Sequence, residues 1–213
     1  MIPSPVTPPA RPDGPSGPQS KPATRIRRTP EEARAVILDA AEKRLARLGL
    51  DGLNVVGVAT DAGLSHASVI HHFGNTAGMR KALEDRMAAA LLGDLVKALE
   101  SNTEPKEILA AVFNAMAGAG HAKLLAWRAL NEAEADLPDP AVQRLFAELI
   151  RRAGERFTEI DNAELRNCLV LITTSAIGLG VSGSALPALL GVDEIDNSQF
   201  SDWLSSLVLP ESS

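Results

Sequence analysis

Three of the four histidines in this chain, His66, His71 and His72, fall within a single short stretch. Imidazoles so close together could bind a metal, move protons or hydrogen-bond to a nucleic acid. Metal ligation from one helix needs partners three or four residues apart on the same face. His66 and His71 are five apart, about 140° around a helix, and His71 and His72 are adjacent, so no metal site is expected. The single cysteine, Cys168, has no second thiol in the chain for a metal or redox pair. It reads as a small buried hydrophobe, with an intersubunit disulfide between two Cys168 residues as the alternative. No nucleophile–base pair, phosphate-binding loop or paired carboxylates stand at a plausible spacing, so neither an enzyme nor a cofactor is expected. What remains for the histidines is donation to phosphates or base edges, with packing beside Phe73 as a second reading for His72.

The elements that would present them can be read locally. Asn54 is a residue type that caps helix N-termini, and Val55, Val58 and Ala59 then share one helical face. Gly63 supplies the left-handed conformation of a helix end. Leu64 is the apolar residue expected to fill the gap before a second helix, which Ser65 caps. In that helix Val69 and Phe73 lie four apart and face inward, leaving Ser65, His66, Ala67, Ser68, His71 and His72 on the outer side. Small and hydrogen-bonding side chains of this kind suit a major groove roughly 12 Å wide. Two helices around a glycine turn make a helix-turn-helix.

The run TDAGLSHASVIHHFGN, placed after an amphipathic helix containing Ile37-Leu38-Asp39-Ala40-Ala41, resembles the TetR family of transcriptional regulators. The resemblance covers about Thr29 to Leu91. It rests on the combination of Ala62-Gly63-Leu64-Ser65 with the His72-Phe73 pair. It implies that the second helix of the motif enters the major groove of double-stranded DNA. It also implies that a C-terminal helical domain dimerises and binds a small-molecule inducer. Three positions depart from the family pattern: Ala67 replaces a usual glycine, Ile70 a tyrosine that packs on the DNA backbone, and Thr76 a lysine that meets a phosphate. Phosphate contacts position a protein on the duplex and carry its salt-dependent affinity. The departures therefore also allow a rival, a TetR-like relative that has lost specific DNA binding and acts as a ligand- or protein-binding module.

Composition and charge agree with this frame. The 213 residues are 45% hydrophobic and only 3% aromatic, with no tyrosine, a mixture that favours helices. Residues 1–86 carry 12 Lys and Arg against 9 Asp and Glu, a net of +3; residues 87–213 carry 9 against 18, a net of −9. A basic part beside an acidic body suits one face that meets phosphates and another repelled by them. No uninterrupted apolar run reaches the roughly 18 residues of a membrane span, and the N-terminus lacks the pattern of a secretory signal. The expectation is a cytoplasmic protein with no membrane contact.

Residues 1–24 hold eight of the fourteen prolines and read as a disordered tail. Arg25, Arg27 and Arg28 follow it, either as an arm on the DNA or as a solubilising segment. Thr29-Pro30-Glu31-Glu32 has the form of a capping box with proline in the first turn, and Gly49 marks the expected end of that helix. A long fourth helix carries Met79, Leu83, Met87, Ala90, Leu91 and Leu95. Further helices are expected from Pro105, around Leu124 to Leu130, from Asp139-Pro140, from Asn162 and from about Asn197, with Pro187 in a loop. The helix from Asn162 is apolar on more than one side and should be buried all round, either in a dimer interface or in the core of a monomer. The dimer reading would explain Ala176, Gly178 and Gly180 as small residues that allow close approach.

The expected protein is all-α: a Pro-rich tail (1–24), a three-helix helix-turn-helix DNA-binding domain (25–75) and a helical effector-binding and dimerisation domain (76–213). It would be a ligand-responsive repressor that binds a two-fold symmetric operator as a homodimer through the helices near 162–182 and 197–209. Ser65, His66, Ala67, Ser68, His71 and His72 would meet the groove and backbone, with Arg27, Arg28, Thr29 and Thr76 on phosphates. The resemblance implies an effector pocket in the body, for which Phe113, Met116, His121, Trp127, Phe146 and Thr173 are the candidates. The few charges on these faces point to an apolar effector.

Overall fold

The computed structural model describes residues 29–118, 120–131 and 138–208, all of it helix, turn or loop. The expected disordered tail, with Arg25, Arg27 and Arg28, lies outside the described residues. Ten helices follow one another among the described residues: α1 (Pro30–Gly52), α2 (Val55–Ala62), α3 (His66–Phe73), α4 (Thr76–Glu100), α5 (Pro105–Ala117), α6 (His121–Asn131), α7 (Pro140–Arg156), α8 (Asn162–Ser182), α9 (Ala185–Leu190) and α10 (Asn197–Val208). The fold is all-α, as the sequence implies.

The local start and stop signals are used as expected. Thr29 Oγ1 accepts from the Glu32 amide at 3.2 Å, and Glu32 accepts from the Thr29 amide at 2.8 Å, so both arms of the capping box form. Gly49 interrupts α1 at φ 66° and ψ −166°, but three residues of helix follow it to Gly52. The expected stop is therefore a kink, which turns the Leu50 and Leu53 carbonyls towards α4, where the Arg80 guanidinium donates to both. Pro187, expected in a loop, is buried inside the short helix α9.

Three clusters of buried side chains organise the bundle. The first joins Ile37, Ala41 and Leu45 of α1, Val58 of α2, Val69 of α3, and Met79 and Leu83 of α4, with Leu124 of α6 inserted from the other side. The second joins Leu109, Phe113 and Met116 of α5 to Ala122, Ile172, Ala176 and Leu204. The third packs Leu92 and Leu95 of α4 against Val142 and Leu149 of α7. One helix, α4, thus belongs to the core under the helix-turn-helix and to the core of the body.

Helix α8 is not buried all round within one chain. Leu165, Ile172 and Ala176 point inward, whereas Val170 is 61% exposed and Leu171 and Val181 stand out beside it. The small residues divide in the same way. Ala176 lies in the second core, and a Cβ on Gly180 would stand 2.6 Å from Ala122 Cβ and 2.7 Å from the Met116 carbonyl oxygen. Those two serve close packing inside the chain, and only Gly178 lies on the open side, with nothing within 4 Å of an added Cβ. By length and composition α8 is also apolar enough to cross a bilayer, with mean hydropathy 1.4. Counting uninterrupted apolar residues missed this because Thr173, Thr174 and Ser175 break the run. Its inner side packs on α5 and α6 of the same bundle.

Candidate nucleic-acid interface

Helix α3 has eight residues, too few to be stable alone, so tertiary contacts must fix its position. Val69 is its one fully buried side chain, with Leu64 and Phe73 packed partly against the same core. Its start is set by Ser65, whose Oγ accepts from the Ser68 amide at 3.1 Å. The turn before it is set by Gly63, at φ 64° and ψ 32°. The preceding helix is capped by Asn54 Oδ1, which accepts from the Gly57 amide at 2.8 Å. All three local signals, Ser65, Gly63 and Asn54, act as their residue types imply.

The far end of α3 is held by a residue that sequence reading missed. Arg34 of α1 donates from Nη1 to the His72 carbonyl oxygen at 2.5 Å, and its guanidinium lies 4.3 Å from the centre of the Phe73 ring. This tie gives a donor to one of the carbonyls that a helix C-terminus leaves unpaired. Nothing in the local pattern signals it, because the partners are 38 residues apart. Arg44 and Arg47 make a second tie, both donating to Asp61 Oδ2, at 2.8 and 3.1 Å, and so lock α2 onto α1.

The outward face is then as follows. His66, Ala67, Ile70 and His71 are exposed and Ser68 is partly so. His72, expected on the outer side, is half-buried, its ring edge-on to His71 with centroids 5.3 Å apart. Burial, then the neighbouring His71 and Arg34, hold its imidazole below the usual histidine range, against the opposing pull of Glu31. His72 thus combines the two readings, part packing and part surface. Ile70 points outward at the place of the usual tyrosine. Thr76 opens α4 behind Asn75, whose Oδ1 accepts from the Gly78 amide at 2.8 Å; the first-turn amides of Thr76 and Ala77 have no carbonyl partner within the helix. Thr29 is engaged in the capping box. Arg27 and Arg28 lie outside the described residues. Among the described residues no group of three or more His, Cys, Asp or Glu could hold a metal.

The six proposed effector residues are not brought together. Phe113 and Met116 belong to the second core, Phe113 with its ring edge-on to Phe200 at 5.5 Å. Trp127 lies under the Arg80 guanidinium at 4.3 Å. Phe146 is exposed on α7 and Thr173 on the outer side of α8. Helical spacing showed that these residues share faces with apolar neighbours, but not which faces turn inward. Of the six, His121 lines a cavity of about 410 Å³ between α1, α4 and α5. A second, wholly apolar cleft of about 70 Å³ lies among α4, α5, α7 and α8, lined by Leu95, Ile108, Val112, Leu149 and Cys168. Cys168 is half-buried and donates to the Val208 carbonyl at 3.4 Å, and burial pushes its thiol up.

A glycine turn at φ 64°, a capped eight-residue helix with a polar outer face and a three-helix core beneath it define a helix-turn-helix protein. Residues 37–83 match the family model of bacterial regulatory proteins, tetR family, so this stretch, which holds α2 and α3, is similar to that family. The HTH-type transcriptional regulatory protein RaaS of Mycobacterium tuberculosis is 41% identical over 70 residues, which are 33% of this chain and 32% of that protein. The chain therefore matches about a third of that relative's length. The fold as a whole is similar to that of the fatty acid degradation regulator FadR from Bacillus halodurans, with a TM-score of 0.57 and 14% identity over 84% of this chain and 95% of that one. It is also similar to the transcriptional regulator FadR from Bacillus subtilis in complex with stearoyl-CoA, with a TM-score of 0.53 and 17% identity over 84% and 99%.

Proposed function

We propose that the chain is a DNA-binding transcriptional repressor that reads a two-fold symmetric operator as a homodimer and releases it on binding a small apolar effector. The observation that carries this reading is α3 itself: a short helix held by Val69 and Arg34, with the outer face of His66, Ala67, Ile70 and His71 left uncovered. Ser65, His66, Ser68 and His71 would make groove and backbone contacts, with His72 at the edge. Where the lysine is missing, the Thr76 hydroxyl and the open amides of α4's first turn would meet a phosphate, because a helix N-terminus favours an anion. The Thr29 hydroxyl, Arg27 and Arg28 would add to the same strand.

A homodimer accounts for the apolar outer side of α8 and for Trp203 and Leu207 of α10, which are 55% and 62% exposed in one chain. Two copies would bring two α3 helices to half-sites about 34 Å apart. The structural neighbour in complex with stearoyl-CoA holds a ligand with a long apolar acyl chain, which supports an effector with an apolar part, and the cleft lined by Leu95, Val112 and Leu149 is where that part would start to open the body. The effector must favour the released spacing by its differential affinity for it.

The rival, a ligand- or protein-binding module without specific DNA binding, is favoured by one observation: α3 carries no Lys or Arg, and Ile70 is exposed. Selection of genomic fragments by the purified protein at low salt separates the two readings, with His71→Ala and a Ser65→Ala/Ser68→Ala variant alongside. The repressor reading expects a short symmetric site, enriched by the native chain, weakened by salt and lost in the variants. No enrichment from a folded dimer would leave only the rival.

A further inference from the structure

We propose that the cavity between α1, α4 and α5 is a binding site for an organic cation, an alkyl- or arylalkyl-ammonium whose apolar body lies against α4 and α5. The cavity is about 410 Å³, within the range of small-molecule sites. Its inner wall is apolar, formed by Met87, Leu91 and Leu95 of α4 and Ile108 of α5. Its charged lining is one-signed: Glu42, Asp94 and Glu107 contribute carboxylates, and no Lys or Arg lines it. Glu42 is paired with Arg86 and Asp94 with Lys97 outside the lining, so the charged groups turned to the cavity itself are carboxylates, which disfavour an anion and suit a cation. A metal ion is not the fit either, because these carboxylates do not converge into a ligating group.

His121 adds the independent observation. It lines the same cavity, is 2% exposed, and its Nε2 is buried without a hydrogen-bond partner. A buried polar atom of this kind costs stability unless a partner is supplied. Burial keeps the imidazole neutral, with its pKa pushed down against the opposing effect of Glu42, so Nε2 can accept a hydrogen bond from an ammonium N–H. His121 is also fixed in place: it follows Gly120, at φ 78°, where an added Cβ would meet Leu45 of α1 at 3.2 Å.

The position of the site differs from the apolar cleft deeper in the body. Glu42 is already paired with Arg86 of α4, which also donates to Asp39 at 2.6 Å. A cation at the cavity mouth would compete for Glu42 and loosen this link between α1 and α4. The site therefore lies where occupancy can reach the helix-turn-helix without passing through α8 or α10.

The test is calorimetric titration of the full chain with three probes of one shape: 4-phenylbutylamine, 4-phenylbutanol and 4-phenylbutanoate. The amine should bind about tenfold or more tighter than the other two. Because Asp94 and Glu107 are exposed, the Asp94→Asn/Glu107→Gln variant should keep its fold and weaken amine binding about fivefold, while leaving the alcohol unchanged. His121→Gln should weaken the amine without converting the site to carboxylate binding. Equal binding of amine and alcohol, no binding of the amine, or amine binding untouched by the rim variant would each overturn the proposal. None of these readouts uses DNA, so they stand or fall apart from the operator.

Discussion

Gly178 and Gly180 sit two residues apart near the end of α8, and the same substitution should act differently at each. Replacing a helix glycine by alanine gains about 0.5–1 kcal/mol from reduced backbone freedom, and this gain is nearly common to the two sites. At Gly180 the new methyl meets Ala122 Cβ at 2.6 Å and the Met116 carbonyl oxygen at 2.7 Å, well inside the 3.5–4.0 Å or so of a carbon contact. Both are in packed helices, so α8 must move away from α5 and α6 by about 1 Å, and overpacking of this kind costs about 1–3 kcal/mol. At Gly178 the methyl meets nothing within 4 Å in the same chain. Taking the difference between the two variants cancels the propensity gain, so Gly180→Ala should be less stable than Gly178→Ala by about 1–3 kcal/mol. Urea unfolding at one fixed protein concentration reads this directly, since a dimer's stability depends on concentration. Equal midpoints for the two variants would refute the inward orientation of Gly180. Repeating the series over a range of concentrations also bears on the dimer. If α8 forms its seam, Gly178→Ala should alter the concentration dependence, whereas Gly180→Ala should lower stability at every concentration.

Arg80→Met should lower stability by about 2 kcal/mol, because it leaves the Leu50 and Leu53 carbonyls half-buried without the donors now at 3.0–3.2 Å and removes the stack on Trp127; thermal unfolding followed by circular dichroism checks it. Arg34→Ala should weaken operator binding about fivefold to tenfold with a loss of stability of about 1 kcal/mol or less, since it frees the end of α3 without touching its face; unchanged affinity in a fluorescence-anisotropy titration would count against that role. His72 and His121 are both held below the usual 6.5 in the folded chain, mainly by burial. The unfolded chain therefore takes up these protons first as the pH falls. Their contribution should be complete above about pH 6.5 and decline as the pH drops below it, with His121→Gln flattening the decline between pH 7.5 and 5.5 in urea midpoints.

The motif was legible because its signals are local. Thr29 with Glu32, Asn54, Gly63 and Ser65 each act through groups two to five residues away, so residue type and spacing suffice. What depends on distant partners was not legible. Arg34 reaches the His72 carbonyl across 38 residues, and Arg80 reaches Leu50 and Leu53 across 30 and 27. The effector candidates lie apart for a related reason: an aromatic at helical spacing looks the same whether it fills a core, as Phe113 does, or stands in solvent, as Phe146 does. Helix α8 shows how far pattern reaches. Its surplus of apolar side chains was visible in the sequence, but its division into an inner side with Ala176 and Gly180 and an outer side with Val170 and Gly178 was set by the neighbours α5 and α6.

The 25 residues of α4 make a rod about 37 Å long, bonded into one core by Met79 and Leu83 and into another by Leu92 and Leu95. Such a rod transmits rotation rather than local strain. A tilt of about 5° about its body end would carry its other end about 3 Å, close to the roughly 3.4 Å step between base pairs. In a two-fold pair the partner moves oppositely, and the separation of the two α3 helices changes by about twice that. In the proposed homodimer, a small angular change in the body would be enough to put both α3 helices out of step with a site whose halves are one helical turn apart.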